Sequence, residues 1–125
     1  MEITIPQGVK GFQKHIVQPQ DTAVAFLSGE AEVLATPKLL ALMEEVSSKS
    51  VKPYLPEGYI SVGVEMHVYH LKSSKIGDEV QLESTFINQD GRKLFFNVIA
   101  TSKGEKIGEG ECNRFIVNKQ KFESK

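Results

Sequence analysis

A single cysteine, Cys112, stands among the 125 residues. That rules out an intrachain disulfide and a cysteine-based zinc cluster. Neither sign of charge is in excess. Fifteen Lys and Arg against sixteen Asp and Glu leave a net charge of -1, without the basic footprint of a nucleic-acid binder. No apolar run approaches the length of a membrane span, and the N-terminus has no signal-peptide core. A cytoplasmic location is expected, with neither membrane nor nucleic acid as a partner. Glycine-rich phosphate loops of the Walker or dinucleotide type are missing, as are internal repeats and low-complexity segments. The length suits one domain, residues 1–125, ending in a frayed Lys/Glu/Ser-rich tail from Lys119 to Lys125.

What is present centres on residues 35–46, which read as the start of the one long helix. Thr36 is placed to act as its N-cap. Pro37 suits the first helical position, where no N–H is needed. Leu39, Leu40, Leu42, Met43 and Val46 make a broad apolar face, so the helix is expected to be largely enclosed. It should run to about Ser50, since Pro53 and Pro56 forbid its continuation. Before it, a first strand covers about Phe12 to Val17 and ends at Pro19. A helical turn through Ala23, Val24, Ala25 and Phe26 follows, capped by Asp21 or Thr22.

After the helix the pattern becomes period two. Tyr59 to Leu71 reads as a strand with Val62, Val64, Met66, Val68 and His70 on one face. Ser61, Gly63, Glu65, His67 and Tyr69 fall on the other. Glu79 to Asn88 turns Val80, Leu82, Ser84 and Phe86 inward. Asp90-Gly91 marks a hairpin, with positive φ tolerated at both positions. In the strand Lys93 to Ser102, Leu94-Phe95-Phe96 and Val98-Ile99 imply burial on both faces. Lys103-Gly104 marks a second hairpin, and Glu105 to Val117 is the last strand. Its Gly108, Gly110 and Cys112 share a face, which fits either close approach by the helix or a bulge or flexible edge. The sum is α+β, a meander with one helix on its face. One helix leaves edge strands uncovered, and pairing an edge with a second copy makes a homodimer the expectation.

Three polar residues stand out on this scaffold: Thr36 at the helix start, Glu44 two turns on, and His70 at the end of a strand. Each has a plain reading, as a cap, a solvent-facing carboxylate and a structural histidine. Together they suit acyl transfer. A histidine between a carboxylate and a hydroxyl or water can act as base, and a helix N-terminus offers N–H donors to a developing oxyanion. Thr36 and Glu44 are about 12 Å apart along a helix, so they cannot touch. Either His70 bridges them, or the site is composite across a dimer interface. His67 lies on the opposite face from His70 and His15 has no local partner, so no metal site is expected.

The segments Glu32-Val33-Leu34-Ala35-Thr36-Pro37 and Leu42-Met43-Glu44 resemble the helix entry of the fluoroacetyl-CoA thioesterase-like family of hotdog-fold proteins. So do Ser61-Val62-Gly63-Val64 with His70 beyond, Lys75-Ile76-Gly77, Asp90-Gly91-Arg92-Lys93-Leu94 and Ile107-Gly108-Glu109-Gly110. The similarity runs from about Gly11 to Val117, and the Thr-to-Glu and Glu-to-His spacings are kept without gaps.

The resemblance implies a hotdog fold, a sheet wrapped around the helix, and a dimer. It implies hydrolysis of an acyl-CoA thioester by Thr36, Glu44 and His70. His70 would act as base on water or on the Thr36 hydroxyl. Glu44 would orient His70 or itself act as nucleophile or water activator. Thr36 would attack or hold the carbonyl. Val62 and Gly63 would lie at the acyl-thioester, the glycine letting backbone approach the ligand. Arg92, with Lys72, Lys75, Lys103 and Lys106 near turns, are candidates for the CoA phosphates. No cofactor is expected beyond coenzyme A as part of the substrate. The fluoroacetyl-specific enzyme places aromatic residues as a lid shortly before its threonine. Here that stretch reads Leu27-Ser28-Gly29-Glu30-Ala31, with only Phe26 nearby, so a general small or medium acyl group is the expected substrate. A hydratase or dehydratase of the same fold and a non-catalytic acyl-CoA binder are the competing functions.

Overall fold

The computed structural model describes residues 2–125. Its elements are β1 (Lys10–Ile16), α1 (Thr36–Val51), β2 (Tyr59–His70), β3 (Glu79–Asp90), β4 (Lys93–Ser102), β5 (Glu105–Asn118) and a short α2 (Lys119–Glu123). The strands form one antiparallel sheet in the order β1-β3-β4-β5-β2. β1 and β2 are therefore its edges. α1 packs across one face of this sheet through Leu39, Leu42, Met43 and Val46, all buried against Val80, Leu82, Phe96 and Cys112 of the same core. Ala41, Glu45 and Lys49 stay exposed, an i, i+4 stripe along the outside. The helix is thus covered on one side only, less enclosed than its apolar content predicts.

Close packing of α1 explains two of the glycines in β5. A Cβ at Gly108 would lie 2.9 Å from Leu39 Cδ2, and one at Gly110 would lie 3.1 Å from Met43 Sδ and 2.8 Å from the His67 carbonyl. Of the two readings of that face, close approach by the helix is the observed one.

β2 departs from simple alternation. Its pairing with β5 shifts between Gly63 and Glu65, a bulge that inserts one residue and reverses the phase. Ser61 is buried and Gly63 meets the side chain of Glu44 on α1. Beyond the bulge, Met66 and Val68 pack on the core. Ser61, Gly63, Met66, Val68 and His70 therefore share the helix-facing side, and Val64 is 54% exposed. The predicted grouping of Val62 and Val64 with His70 is corrected accordingly.

Other boundaries shift for local reasons. β3 extends to Asp90 and the first hairpin turns on Gly91 and Arg92, with positive φ at Gly91. Lys103 and Gly104 both take positive φ in the second. In β4, Leu94, Phe96, Val98 and Ala100 are buried, while Ile99 is 41% exposed on the outer face. Burial on both faces is thus corrected to burial on one. The tail expected to fray forms α2, because the Asn118 side chain accepts a hydrogen bond from the Lys121 amide at 3.0 Å. No helix among the described residues is long and apolar enough to cross a membrane.

Candidate active site

The first turn of α1 meets the end of β2 through one side-chain contact. Thr36 Oγ1 lies 2.8 Å from His70 Nδ1. Thr36 is not the N-cap. That position is Ala35, and the Thr36 hydroxyl turns to the imidazole instead. The loop before α1 is tied down independently. Thr22 Oγ1 accepts from the Ala25 amide at 3.2 Å, and the Ala35 amide donates to the Asp21 carbonyl at 2.8 Å. His15, expected to lack a local partner, has its Nε2 2.6 Å from the buried carboxylate of Asp21. Lys38 Nζ lies 3.6 Å from the same carboxylate, so this cluster pins the entry of the helix.

Burial pushes the His70 imidazole below its ordinary pKa, while a backbone contact with Lys72 works the other way. His70 Nε2 is buried without a well-formed hydrogen bond. The pair opens onto a cavity of about 310 Å³, lined also by Ala23, Ser28, Val33, Leu34, Leu71 and Lys72. A neutral imidazole touching a hydroxyl beside a helix N-terminus can take a proton while N–H groups of the first turn face developing negative charge.

Glu44 does not join this pair within the chain. It lies on a different groove of about 430 Å³, with Lys38, Ala41, Leu42, Ser48 and Arg114. Its Oε2 lies 3.3 Å from Arg114 Nη1. The same carboxylate fills the space a Cβ at Gly63 would need. The glycine thus makes room for a neighbouring side chain. Arg114 is buried, and Ser61 holds it twice: Nε donates to Ser61 Oγ and Nη2 to the Ser61 carbonyl, each at 2.8 Å. Sequence reading missed Arg114. The available signal was its phase, two residues beyond Cys112 on the face already assigned to Gly108 and Gly110.

Val62 and Arg92 lie apart from both groups. Val62 is half-buried and, by alternation with Ser61 and Gly63, faces the outer side of the sheet opposite Phe115. The Arg92 guanidinium stacks 5.3 Å from the centre of the Tyr59 ring and lines a cleft of about 720 Å³ beside the N-terminal arm. Lys72, Lys103 and Lys106 pair with Glu105, Asp78 and Glu109. Of the suggested phosphate-binding cations, Lys72 lines the Thr36–His70 cavity.

One long helix laid on a five-stranded antiparallel sheet, with a hydroxyl–imidazole pair at its start, places the protein among the hotdog-fold thioesterases. Solved structures agree. A crystal structure of a single-substitution mutant of the fluoroacetyl-CoA-specific thioesterase superposes with a TM-score of 0.90 at 25% identity, over 97% of this chain and 94% of that one. A thioesterase superfamily member from Thermus thermophilus gives 0.89 at 28% identity, over 97% and 90%. The fluoroacetyl-CoA thioesterase of Streptantibioticus cattleyicolor is 31% identical over 94 residues, 75% of this chain and 68% of that protein. The family profile described as fluoroacetyl-CoA-specific thioesterase matches residues 17–120. The chain belongs to that family, and it is a thioester hydrolase.

Proposed function

We propose that the protein hydrolyses a small or medium acyl-CoA, and that it does so as a homodimer whose sites take Thr36 and His70 from one subunit and Glu44 from the other. The observation that carries this reading is the 2.8 Å contact between Thr36 Oγ1 and His70 Nδ1 at the start of α1. With its proton on Nε2, the ring accepts the Thr36 hydroxyl proton through Nδ1. The hydroxyl oxygen then bonds to the thioester carbonyl carbon, the C–S bond breaks, and the imidazolium returns its proton to the departing CoA thiolate. Water, activated by the same histidine or by Glu44, then attacks the acyl carbon, the ester C–O bond to Thr36 breaks, the hydroxyl regains its proton and the free acid leaves.

A composite site follows from the separation of the two groups. Thr36–His70 and Glu44 lie about 12 Å apart along α1 and line different cavities. β2 is the edge strand beside both, and at 12 residues it is a long unpaired edge that pairing with a second copy would cover. One solved structure of a fluoroacetyl-CoA thioesterase mutant, 25% identical with a TM-score of 0.91, holds acetyl-CoA; a CoA thioester is accordingly the substrate class proposed here. The loop before Thr36 carries Phe26 at 41% and Leu27 at 92% exposure, an open apolar approach rather than an aromatic lid. This favours acyl groups chosen by size over a fluorinated one.

The test is thiol release from acetyl-CoA, fluoroacetyl-CoA and longer acyl-CoAs by the wild-type protein and His70→Ala. Turnover is expected to fall by roughly 10²–10⁴ in the variant, with the fold intact by circular dichroism. Equal turnover in the two would overturn the assignment. Hydration of an enoyl-CoA without thiol release would point to a hydratase.

A further inference from the structure

We infer that Ser61, acting through Arg114, is a positioning residue for Glu44 in the thioesterase reaction. The inference rests on the proposed role of Glu44 as the carboxylate of the site. The charge of an arginine that is only 6% exposed must be paired and hydrogen-bonded to be tolerated. Two of its three nitrogens are committed to Ser61, at 2.8 Å to the hydroxyl and 2.8 Å to the carbonyl. Only Nη1 is left to reach a carboxylate, and it meets Glu44 Oε2 at 3.3 Å. The arginine is therefore fixed by Ser61 and directs Glu44, not the reverse. A charge-assisted contact is normally shorter, about 2.7–2.9 Å, so Glu44 is guided without being fully engaged.

The arrangement is built into the sheet. Arg114 is paired directly across from Gly63, and the regular alternation of β2 before the bulge puts Ser61 on the same side as Gly63. The Glu44 side chain keeps about a third of its exposure, and its Oε1 makes no hydrogen bond among the described residues. One oxygen is thus steered while the other faces the open groove where substrate or water would arrive. Losing the Ser61 hydroxyl removes one of these two ties, leaving the guanidinium held by the Ser61 carbonyl alone and able to shift, and Glu44 with it. Lysine at 114 cannot span both partners, because its ammonium is a single point charge.

The experiment measures kcat and KM for acetyl-CoA in Ser61→Ala, Arg114→Lys and Glu44→Ala, and in each of the first two combined with Glu44→Ala. The expected result is a kcat lower by about tenfold in Ser61→Ala and by up to a hundredfold in Arg114→Lys. KM should be unchanged, and neither effect should appear in the Glu44→Ala background. Thermal unfolding of each variant separates folding from function, and Ser61→Ala supplies the milder variant should Arg114→Lys not fold. The same loss of kcat with and without Glu44 overturns the inference. So does a rise in KM at constant kcat, which would make Arg114 a substrate-binding group. Unchanged kcat in Ser61→Ala and Arg114→Lys beside a damaged Glu44→Ala overturns it while leaving the role of Glu44 standing. Unchanged kcat in Glu44→Ala removes that role, and the inference with it.

Discussion

The carboxylate of Glu44 occupies the space that a side chain on Gly63 would need. A helix residue and a strand residue are thereby fitted to each other at the point where β2 bulges. The fit gives a physical reason for glycine at this position that does not depend on a ligand. Gly63→Ala should push the Glu44 carboxylate away from Arg114 and lower kcat by about a hundredfold, the scale expected for an ångström of misplacement. The Thr36–His70 contact lies beyond the bulge and should survive. A steady-state assay with acetyl-CoA, alongside thermal unfolding, checks this. Wild-type kcat in Gly63→Ala would mean that Glu44 can move without consequence.

In the proposed mechanism, the protonation of His70 should set the acid limb of activity. Its pKa in the folded protein lies below the ordinary 6.5, because burial disfavours the imidazolium more than the Lys72 backbone favours it. The neutral ring is the form that takes a proton, so kcat/KM should be level above pH 6.5 and fall on acidification with a midpoint below 6.5. Stability follows the same sign. As the pH drops below 6.5 the unfolded chain takes up the proton first, so stability present above that value is lost as pH falls through the folded pKa. A kcat/KM profile and a series of unfolding curves between pH 4 and 8 measure the two consequences. A midpoint above 6.5 would contradict the burial argument.

Much of this fold was legible because it is written in apolar spacing and in stops. Leu39, Leu42, Met43 and Val46 announced α1, Pro53 ended it, and Gly108 with Gly110 marked where it presses on β5. The bulge after Gly63 was not legible. One inserted residue leaves the composition of β2 unchanged yet reverses which residues face the helix. Reading straight through put Val62 on the side of His70 and Gly63 on the other. The same slip hid Ser61. Arg114 shares the phase of Gly108, Gly110 and Cys112, but an arginine inside a strand gives no hint of the buried partner that justifies it. Thr36 was placed correctly and given the wrong local job, because its imidazole partner is 34 residues away.

A buried hydroxyl pair between α1 and β3 tests the core away from the site. Ser47 Oγ donates to the Met43 carbonyl at 2.9 Å and lies 3.0 Å from Ser84 Oγ. With its proton committed to Met43, Ser47 must accept from Ser84. Ser47→Ala therefore leaves the Ser84 hydroxyl buried with no acceptor and should cost about 1–3 kcal/mol. Ser84→Ala leaves Ser47 still bonded to Met43 and should cost less. Removing both hydroxyls should cost less than Ser47→Ala alone. Chemical denaturation of the three variants gives the order directly, and a loss in Ser84→Ala equal to or larger than that in Ser47→Ala would contradict the assigned direction of the bond.

Mixed dimers distinguish a site made within one subunit from a site shared between two. Take His70→Ala in one chain and Glu44→Ala in the other, each inactive as its own dimer. If each site draws Thr36 and His70 from one subunit and Glu44 from the other, the mixed dimer collects both substitutions in one site and restores the second site completely. Random re-association makes about half the dimers mixed, each with one working site of two, so activity should return to roughly a quarter of wild type. If every site lies within a single chain, each site in the mixed dimer still lacks one group, and unfolding and refolding the two variants together recovers nothing. The readout is thiol release from acetyl-CoA by the refolded mixture, set against each variant refolded alone. Recovery near a quarter requires both a dimer and a shared site, which no single-variant assay can establish; absence of recovery in a mixture shown to contain mixed dimers would return Glu44 to the chain that holds His70.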